Sequence, residues 1–394
     1  MKKFLIFLLS VFSLNFFVIK TYADVNETPP TLISEGAIIM EANTGTILYE
    51  KNVNVKMYPA SLTKIASAIY TIETGNLEDI VTISRNARNT EGSSVYLEEE
   101  EKVSLKRLVQ GLLINSGNDA GVAIAEHLSG SVEKFSNDLN TYLNQKVDLK
   151  DTNFENPHGL FDPAHVTTAR DLAKITQYAM QNNTFKEIFG TKELDWNGRS
   201  WDTTLITHHK ILKGEVPYEG VSGGKTGFIN QSGFNLATTA KKDDLSLIVI
   251  TLNSYKENEA YNDTIKLLEY GFENYTNSYI KKGTIFTAGS EKYVASKPIT
   301  YTHRTKVQTD SKVSNDGNLK IIDEDVNIIA SFQLKKVNTG IKIDKDNQTN
   351  SPDHKPSAQT ILFERELLFL VLPYVVTALI IITTIILYRQ TYRV

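Results

Sequence analysis

The sequence predicts a mixed α/β (α+β) fold: one sheet flanked by helices and carrying a helical subdomain, then a small β-rich domain and a C-terminal transmembrane helix. Three observations predict it. Strand-like hairpins stand at both ends of residues 35–275 with helical patterns between them, an order that joins the two ends in one sheet and inserts the helices. A stretch after residue 276 alternates apolar and polar residues strictly, as a half-buried strand does. Leu367 to Leu387 contains 21 residues and no charge, against the roughly 20 needed to cross a bilayer core.

The elements follow in order. Lys2 and Lys3 precede an apolar run from Phe4 to Ile19, and Thr21-Tyr22-Ala23 offers a cleavage site; residues 1–23 read as a secretory signal peptide. Gly36–Ala42 and Thr46–Glu50 surround the turn residues Asn43-Thr44-Gly45 and predict the first hairpin. Pro59-Ala60 opens an amphipathic helix with Leu62, Ile65 and Ile69 on its apolar side. Leu105, Leu108 and Leu112 mark a second helix and Ala120–Leu128 a third. Phe234–Ala240 and Leu245–Leu252 flank the charged turn Lys241–Asp244 as a second hairpin, and Tyr261, Ile265, Leu268 and Phe272 fall at helical spacing. Residues 24–276 are therefore one domain.

Residues 277–340 form the β-rich domain, in which Val326, Ile328, Ala330, Phe332 and Leu334 alternate. Residues 341–360, rich in Asp, Asn, Lys, Ser and Pro, are a flexible linker. Residues 361–394 hold the membrane anchor and a short tail. Arg389 and Arg393 place that tail in the cytoplasm, so the domains between the two apolar stretches lie outside.

Composition narrows the chemistry. The 394 residues include no cysteine, which excludes a thiol nucleophile and thiolate metal sites. A net charge of −4 without a basic block argues against nucleic acid. The pairs His158/His165 and His208/His209 lack metal-ligand spacing with a carboxylate partner, and no metal or organic cofactor is implied.

GVSGGKTGF, Gly220 to Phe228, resembles a phosphate loop at first sight. That motif needs a glycine where Glu219 stands, and Gly220 is one residue too close. A lysine and a hydroxyl beside glycine on a strand suit a carboxylate instead: Lys225 supplies charge, Thr226 a donor, and Gly227 close approach.

In PASLTKIASAIY, Ser61 and Lys64 are three residues apart and share a helix face. A buried lysine near another cation loses proton affinity and can act as a base. The same spacing fits a helix cap and a solvated lysine, and it recurs at Ser131–Lys134, Ser222–Lys225 and Ser278–Lys281. Ser116-Gly117-Asn118 reads either as a loop aiming Ser116 and Asn118 at a site or as a helix stop followed by an N-cap.

S-x-x-K, then S-x-N, then K-T-G is the order of motifs in class A β-lactamases and penicillin-binding proteins. From Ser34 to Tyr275 the sequence resembles the D-alanyl-D-alanine carboxypeptidases, the low-molecular-mass penicillin-binding proteins. GSSVYLEEEEKVSLKRLVQGLLINSGNDAGVAIAEHLSGS, NPHGL and GGKTGFINQSGFNLATTA carry the resemblance along with the motifs. It implies a β-lactamase/transpeptidase-like antiparallel sheet, with Ser61 as nucleophile, Lys64 as base and Ser116 in proton relay. Asn118, Lys225, Thr226 and Gly227 would hold substrate, and the backbone N–H groups of Ser61 and Phe228 would form the oxyanion hole. The implied partners are peptidoglycan pentapeptide stems, with β-lactams as covalent inhibitors, at the cell membrane.

Two departures stand out. Members of that family often carry an arginine where this chain has Ala260, before Tyr261, and an aspartate where it has Ser222. Either Lys210 or a histidine of the 208–209 pair compensates, with Lys210 the expected one, or activity is weak or substrate choice altered. A β-lactamase would need a deacylating carboxylate, and neither Glu187 nor Glu193 sits in the expected wording. A catalytically silent wall-binding protein is the reading from a different class.

Overall fold

The computed structural model describes residues 28–337. The expected signal peptide, the 341–360 linker and the expected anchor lie outside the described residues. Among the described residues no helix is long and apolar enough to cross a membrane.

The chain builds a five-stranded antiparallel sheet from both ends of its first domain. Strands β1 (Gly36–Glu41) and β2 (Ile47–Lys51) form the first hairpin. Strands β3 (Val221–Ile229), β4 (Gly233–Lys242) and β5 (Leu245–Ser254) follow a long helical insertion, and the spatial order is β2-β1-β5-β4-β3. The junction is β1 against β5, with Ile38 opposite Ile250. Alternate residues of a strand face opposite sides, and β5 uses both. Leu247 and Val249 pack with Leu267 and Leu268, whereas Ile248 and Ile250 join the larger core under the insertion.

The insertion supplies α1 (Thr63–Thr74), α2 (Leu105–Ile114), α3 (Asn118–Ser129), α4 (Val132–Val147), α5 (Ala169–Ala179) and α6 (Asn183–Phe189). A last helix, α7 (Glu257–Asn274), covers the opposite face of the sheet. The helix after Pro59 differs from its expected amphipathic character. Every residue of α1 from Thr63 to Thr71 is buried, because α2 to α6 all pack around it. A helix enclosed in this way must satisfy its polar side chains internally. It does so through Ser67 Oγ, which donates to the Pro157 carbonyl at 2.7 Å, and Thr71 Oγ1, which donates to the Ser67 carbonyl at 2.7 Å.

The β-rich unit begins at Tyr275, directly after α7, with strand Tyr275–Ile280 paired to Ile299–Arg304. Tyr293, Ile299, Leu319, Ile321 and Leu334 form its own small core. The alternating segment becomes strand Ile328–Gln333, two residues later than the pattern starts. Val326 lies before it in a turn, at φ +66° and 62% exposed, so the turn geometry overrides the apolar spacing there. Asn277 of this unit donates to the buried Glu41 carboxylate at the end of β1.

Candidate active site

Three elements converge where the edge strand β3 meets the helical insertion. Ser61 sits in a 3-10 turn, Ala60–Leu62, that runs straight into α1. Asn118 opens α3, with Ser116 just before it, and β3 presents Lys225 through Phe228. β3 is an outer strand of its sheet, and that turn packs against it. Gly227 permits the contact: a Cβ there would lie 2.9 Å from the Pro59 oxygen and 3.1 Å from the Ser61 nitrogen.

Lys64 is wholly buried, and its ammonium has three oxygen partners. It donates to Ser61 Oγ, to Asn118 Oδ1 and to the His158 carbonyl, each at 2.8 Å. Lys225, 3% exposed, donates to Ser116 Oγ at 3.1 Å and to the Thr226 carbonyl at 2.9 Å. Two lysine side chains thus share one desolvated site, where charging both is costly. Burial first, then the Lys225 charge, push Lys64 well below the usual lysine range, against a smaller upward pull from Asp119. Burial pushes Lys225 down to about 7. A neutral Lys64 amine would be an acceptor in reach of the Ser61 proton.

This geometry separates Ser61–Lys64 from the other S-x-x-K sequences. Ser131 Oγ caps α4 by accepting the Lys134 N–H, and Lys134 Nζ turns to Asp138. Ser222 Oγ bonds Thr239 Oγ1, and Ser278 Oγ bonds His303 Nε2. Within these four, an amine-to-hydroxyl bond between the serine and lysine of the motif is found at Ser61–Lys64.

The backbone is strained at two of the converging points. Ala60 has φ +48° and Ser116 φ +62°, a region costly for residues with a Cβ and held only by surroundings that over-determine it. For Ala60 the surroundings are explicit. Its carbonyl accepts Thr63 Oγ1 at 2.9 Å, and Thr63 Oγ1 lies 2.8 Å from His165 Nε2. Asn235 Nδ2 holds the two preceding carbonyls, Tyr58 at 3.0 Å and Pro59 at 3.1 Å.

Several of these supports were not singled out in the sequence. Asp119, fully buried, accepts from Ser94 Oγ at 2.6 Å and from the Val95 and Leu97 N–H groups at 3.1 Å. It thereby ties the segment 94–97 to the start of α3. An acidic residue in a helix's first turn is a signal the sequence carried. Gly159 and the His158 carbonyl act through the backbone, and Asn235 acts through an amide that reaches carbonyls 176 and 177 residues away, so none of the three left such a local signal. His209, of the pair without metal-ligand spacing, bonds Thr238 Oγ1 at 2.8 Å and accepts the Leu212 N–H, while His208 borders a cavity beside Thr226. Among the described residues no group of three metal-ligating side chains occurs.

Ala260, on α7, borders a cavity of about 210 Å³ together with Thr226 and Gly227. Lys210 Nζ is held by Glu257 at 2.6 Å on the rim of that cavity. Glu187 and Glu193 are both exposed, on α6 and on strand Glu193–Asn197.

Residues 23–256 match a family described as peptidase S11, D-alanyl-D-alanine carboxypeptidase. The D-alanyl-D-alanine carboxypeptidase DacA of Haemophilus influenzae is 36% identical over 271 residues, which cover 63% of this chain and 64% of that protein. DacF of Bacillus subtilis, of the same description, is 32% identical over 249 residues, 61% of this chain and 63% of that one. The chain thus spans a little under two thirds of the length of these curated relatives. The crystal structure of penicillin binding protein 5 from Haemophilus influenzae is similar with a TM-score of 0.70 at 28% identity, covering 79% of this chain and 98% of that one. Penicillin binding protein 6B from Escherichia coli is similar with a TM-score of 0.67 at 27% identity, covering 79% and 97%.

Proposed function

The chain belongs to the D-alanyl-D-alanine carboxypeptidase family, and from that premise we propose that it is a serine-type D-Ala-D-Ala carboxypeptidase of peptidoglycan stem peptides. The single observation that carries the mechanism is the 2.8 Å contact between Lys64 Nζ and Ser61 Oγ inside a site that depresses the lysine.

In this reading neutral Lys64 takes the Ser61 proton as Oγ bonds the carbonyl carbon between the two terminal D-alanines. The Ser61 and Phe228 N–H groups hold the oxyanion, a contribution of typically about 3 kcal/mol for one such donor. The carbon–nitrogen bond then breaks, the leaving nitrogen takes a proton by way of Lys64 and Ser116, and D-alanine departs. Water hydrolyses the ester, freeing Ser61. Asn118 holds the peptide, and Lys225, Thr226 and Gly227 hold the released residue and its carboxylate. A β-lactam enters the same path: its ring amide opens on Ser61, and the acyl group stays attached.

The same proposal includes export by residues 1–23, attachment to the cell membrane through residues 361–394, and the division into a catalytic domain (24–276) and a β-rich domain (277–340). The purified protein and its Ser61→Ala variant, incubated with a fluorescent penicillin and then with a D-Ala-D-Ala peptide, test the chemistry. Labelling and D-alanine release that both vanish in the variant support the reading. A folded protein that takes no label sinks it.

A further inference from the structure

The cavity beside Thr226 lies on the α7 side of β3. Thr226 and Phe228 project to that face, opposite Leu236 and Phe234 of β4, whereas Lys225 reaches Ser116 from the other. Strand alternation requires this split. The volume of about 210 Å³ is several times the ~30 Å³ that one water occupies in the liquid.

Its walls are mostly apolar. Phe228 and Phe234 lie against each other along one side, centroids 4.5 Å apart and planes tilted by 35°. Leu236, Ala260 and Tyr261, each nearly or fully buried, close the other sides. Ala260 ends at its methyl group, so α7 contributes no long side chain at that point. The polar side chains besides Thr226 are those of His208, Asn235 and Glu257. Burial holds the His208 pKa down to about 4, so its ring is neutral. Asn235 Nδ2 is committed to the Tyr58 and Pro59 carbonyls, and the Glu257 carboxylate is paired to Lys210. The space also borders the two residues, Thr226 and Gly227, that would grip the released amino acid.

We propose that this cavity receives the side chain of the released residue, so that the enzyme trims stems ending in an apolar D-amino acid larger than alanine as well as in D-alanine. The inference rests on the carboxypeptidase reading and names the substrate class of that site. No new bond chemistry is needed: the same amide breaks, and a bulkier amine leaves with its proton. An apolar pocket discriminates by fit, and a site closed around alanine rejects each added methylene by about tenfold or more. A negative side chain meets the Glu257 carboxylate and gains nothing from the apolar walls.

The test is a peptide series ending in D-Ala-D-Xaa, with Xaa as Ala, Leu or Glu, turned over by the full-length protein. The expected kcat/KM for D-Leu release lies within about tenfold of that for D-Ala, with D-Glu more than about tenfold lower. D-Ala release with D-Leu more than tenfold slower, or D-Glu released as readily as D-Leu, overturns the cavity assignment and leaves the carboxypeptidase standing. No release of any residue, together with no penicillin label on Ser61, removes both. In Ala260→Leu, which fills the space, D-Leu release is expected to fall at least tenfold against D-Ala release while the penicillin still labels. A labelled Ala260→Leu protein that keeps wild-type D-Leu turnover also overturns the assignment, and the wild-type series decides the matter where that variant does not fold.

Discussion

Gly159 and Ala60 touch backbone to backbone: a Cβ placed on Gly159 would lie 1.8 Å from the Ala60 oxygen. Gly159 also has φ +89°, a conformation that costs other residues about 1–2 kcal/mol. Its neighbour His158 supplies the carbonyl that holds Lys64, so this contact seats the turn that carries Ser61.

Gly159→Ala is therefore expected to lower stability by about 3 kcal/mol or more, from strain plus displacement of the turn, and to slow penicillin acylation at least a hundredfold. Gly130→Ala is the control. Its φ is +83° and it has no neighbour within 4 Å, so it should lose about 1–2 kcal/mol and keep its acylation rate. Thermal unfolding and labelling kinetics on both variants check this, and equal acylation rates would refute it.

The pH dependence follows from the two lysines. Acylation needs Lys64 neutral, so kcat/KM should rise with pH through that group's lowered pKa. Lys225, pushed down to about 7, loses its charge above that value, so kcat/KM for a peptide with a free carboxylate should fall again on the alkaline side. Lys225→Arg, which stays protonated, should move the falling limb upward by more than a unit. Stability runs the other way. Both lysines have folded pKa values below the unfolded ones, so the unfolded state binds more protons, and stability rises as pH rises from about 7 towards 10. A falling limb unchanged in Lys225→Arg would show that another group sets it.

Legibility in the sequence tracked how local the cause was. The two hairpins and α7 were readable because period and turn residues are properties of neighbouring positions, and β1 and β5 pair as the apolar runs required. The burial of α1 on all sides was not readable, since it depends on five helices distant in the chain. The motif residues Ser61, Lys64, Ser116 and Lys225 were legible as types in order, but S-x-x-K alone did not distinguish Ser61 from Ser131. What separates them is φ +48° at Ala60 and the partners of Lys64, and two of those three partners come from the distant residues 118 and 158.

Asp119 should prove as necessary as the motif residues beside it. Its carboxylate accepts the Val95 and Leu97 N–H groups in a fully buried site. Asp119→Asn points an NH2 group at one of those donors, at a cost of about 3 kcal/mol. The segment 94–97 should loosen, with faster amide exchange at Val95 and Leu97. Unaltered exchange at those two amides would contradict the assigned role.

His165 predicts acid sensitivity. Its Nδ1 accepts the Glu155 N–H at 3.0 Å and its Nε2 meets Thr63 Oγ1, an arrangement that requires the neutral ring. Burial holds its pKa down to about 4. The unfolded state binds the extra proton first, so stability should fall as pH drops from about 6.5 to about 4, by on the order of 3 kcal/mol from this residue. His165→Gln should flatten that part of the stability curve measured by urea unfolding. A curve with the wild-type slope would assign the loss to other groups.

Lys210 and Glu257 bear on the alanine at position 260. A released residue's carboxylate at Thr226 has no cation from Ala260, and the Lys210 ammonium is committed at 2.6 Å to Glu257, which is the partner that borders the cavity. Both partners are more than a third exposed, so the pair itself contributes only about 0–1 kcal/mol. Breaking it should therefore leave stability nearly unchanged while freeing the ammonium to approach the carboxylate. Glu257→Gln is expected to lower KM for a D-Ala-D-Ala peptide about threefold, the size of a weakly screened charge contact. Adding Lys210→Ala should return KM to at least the wild-type value, because the gain runs through that amine. A KM that falls in Glu257→Gln and stays low in the double variant would mean that removing the carboxylate's repulsion, and not the freed lysine, strengthens binding.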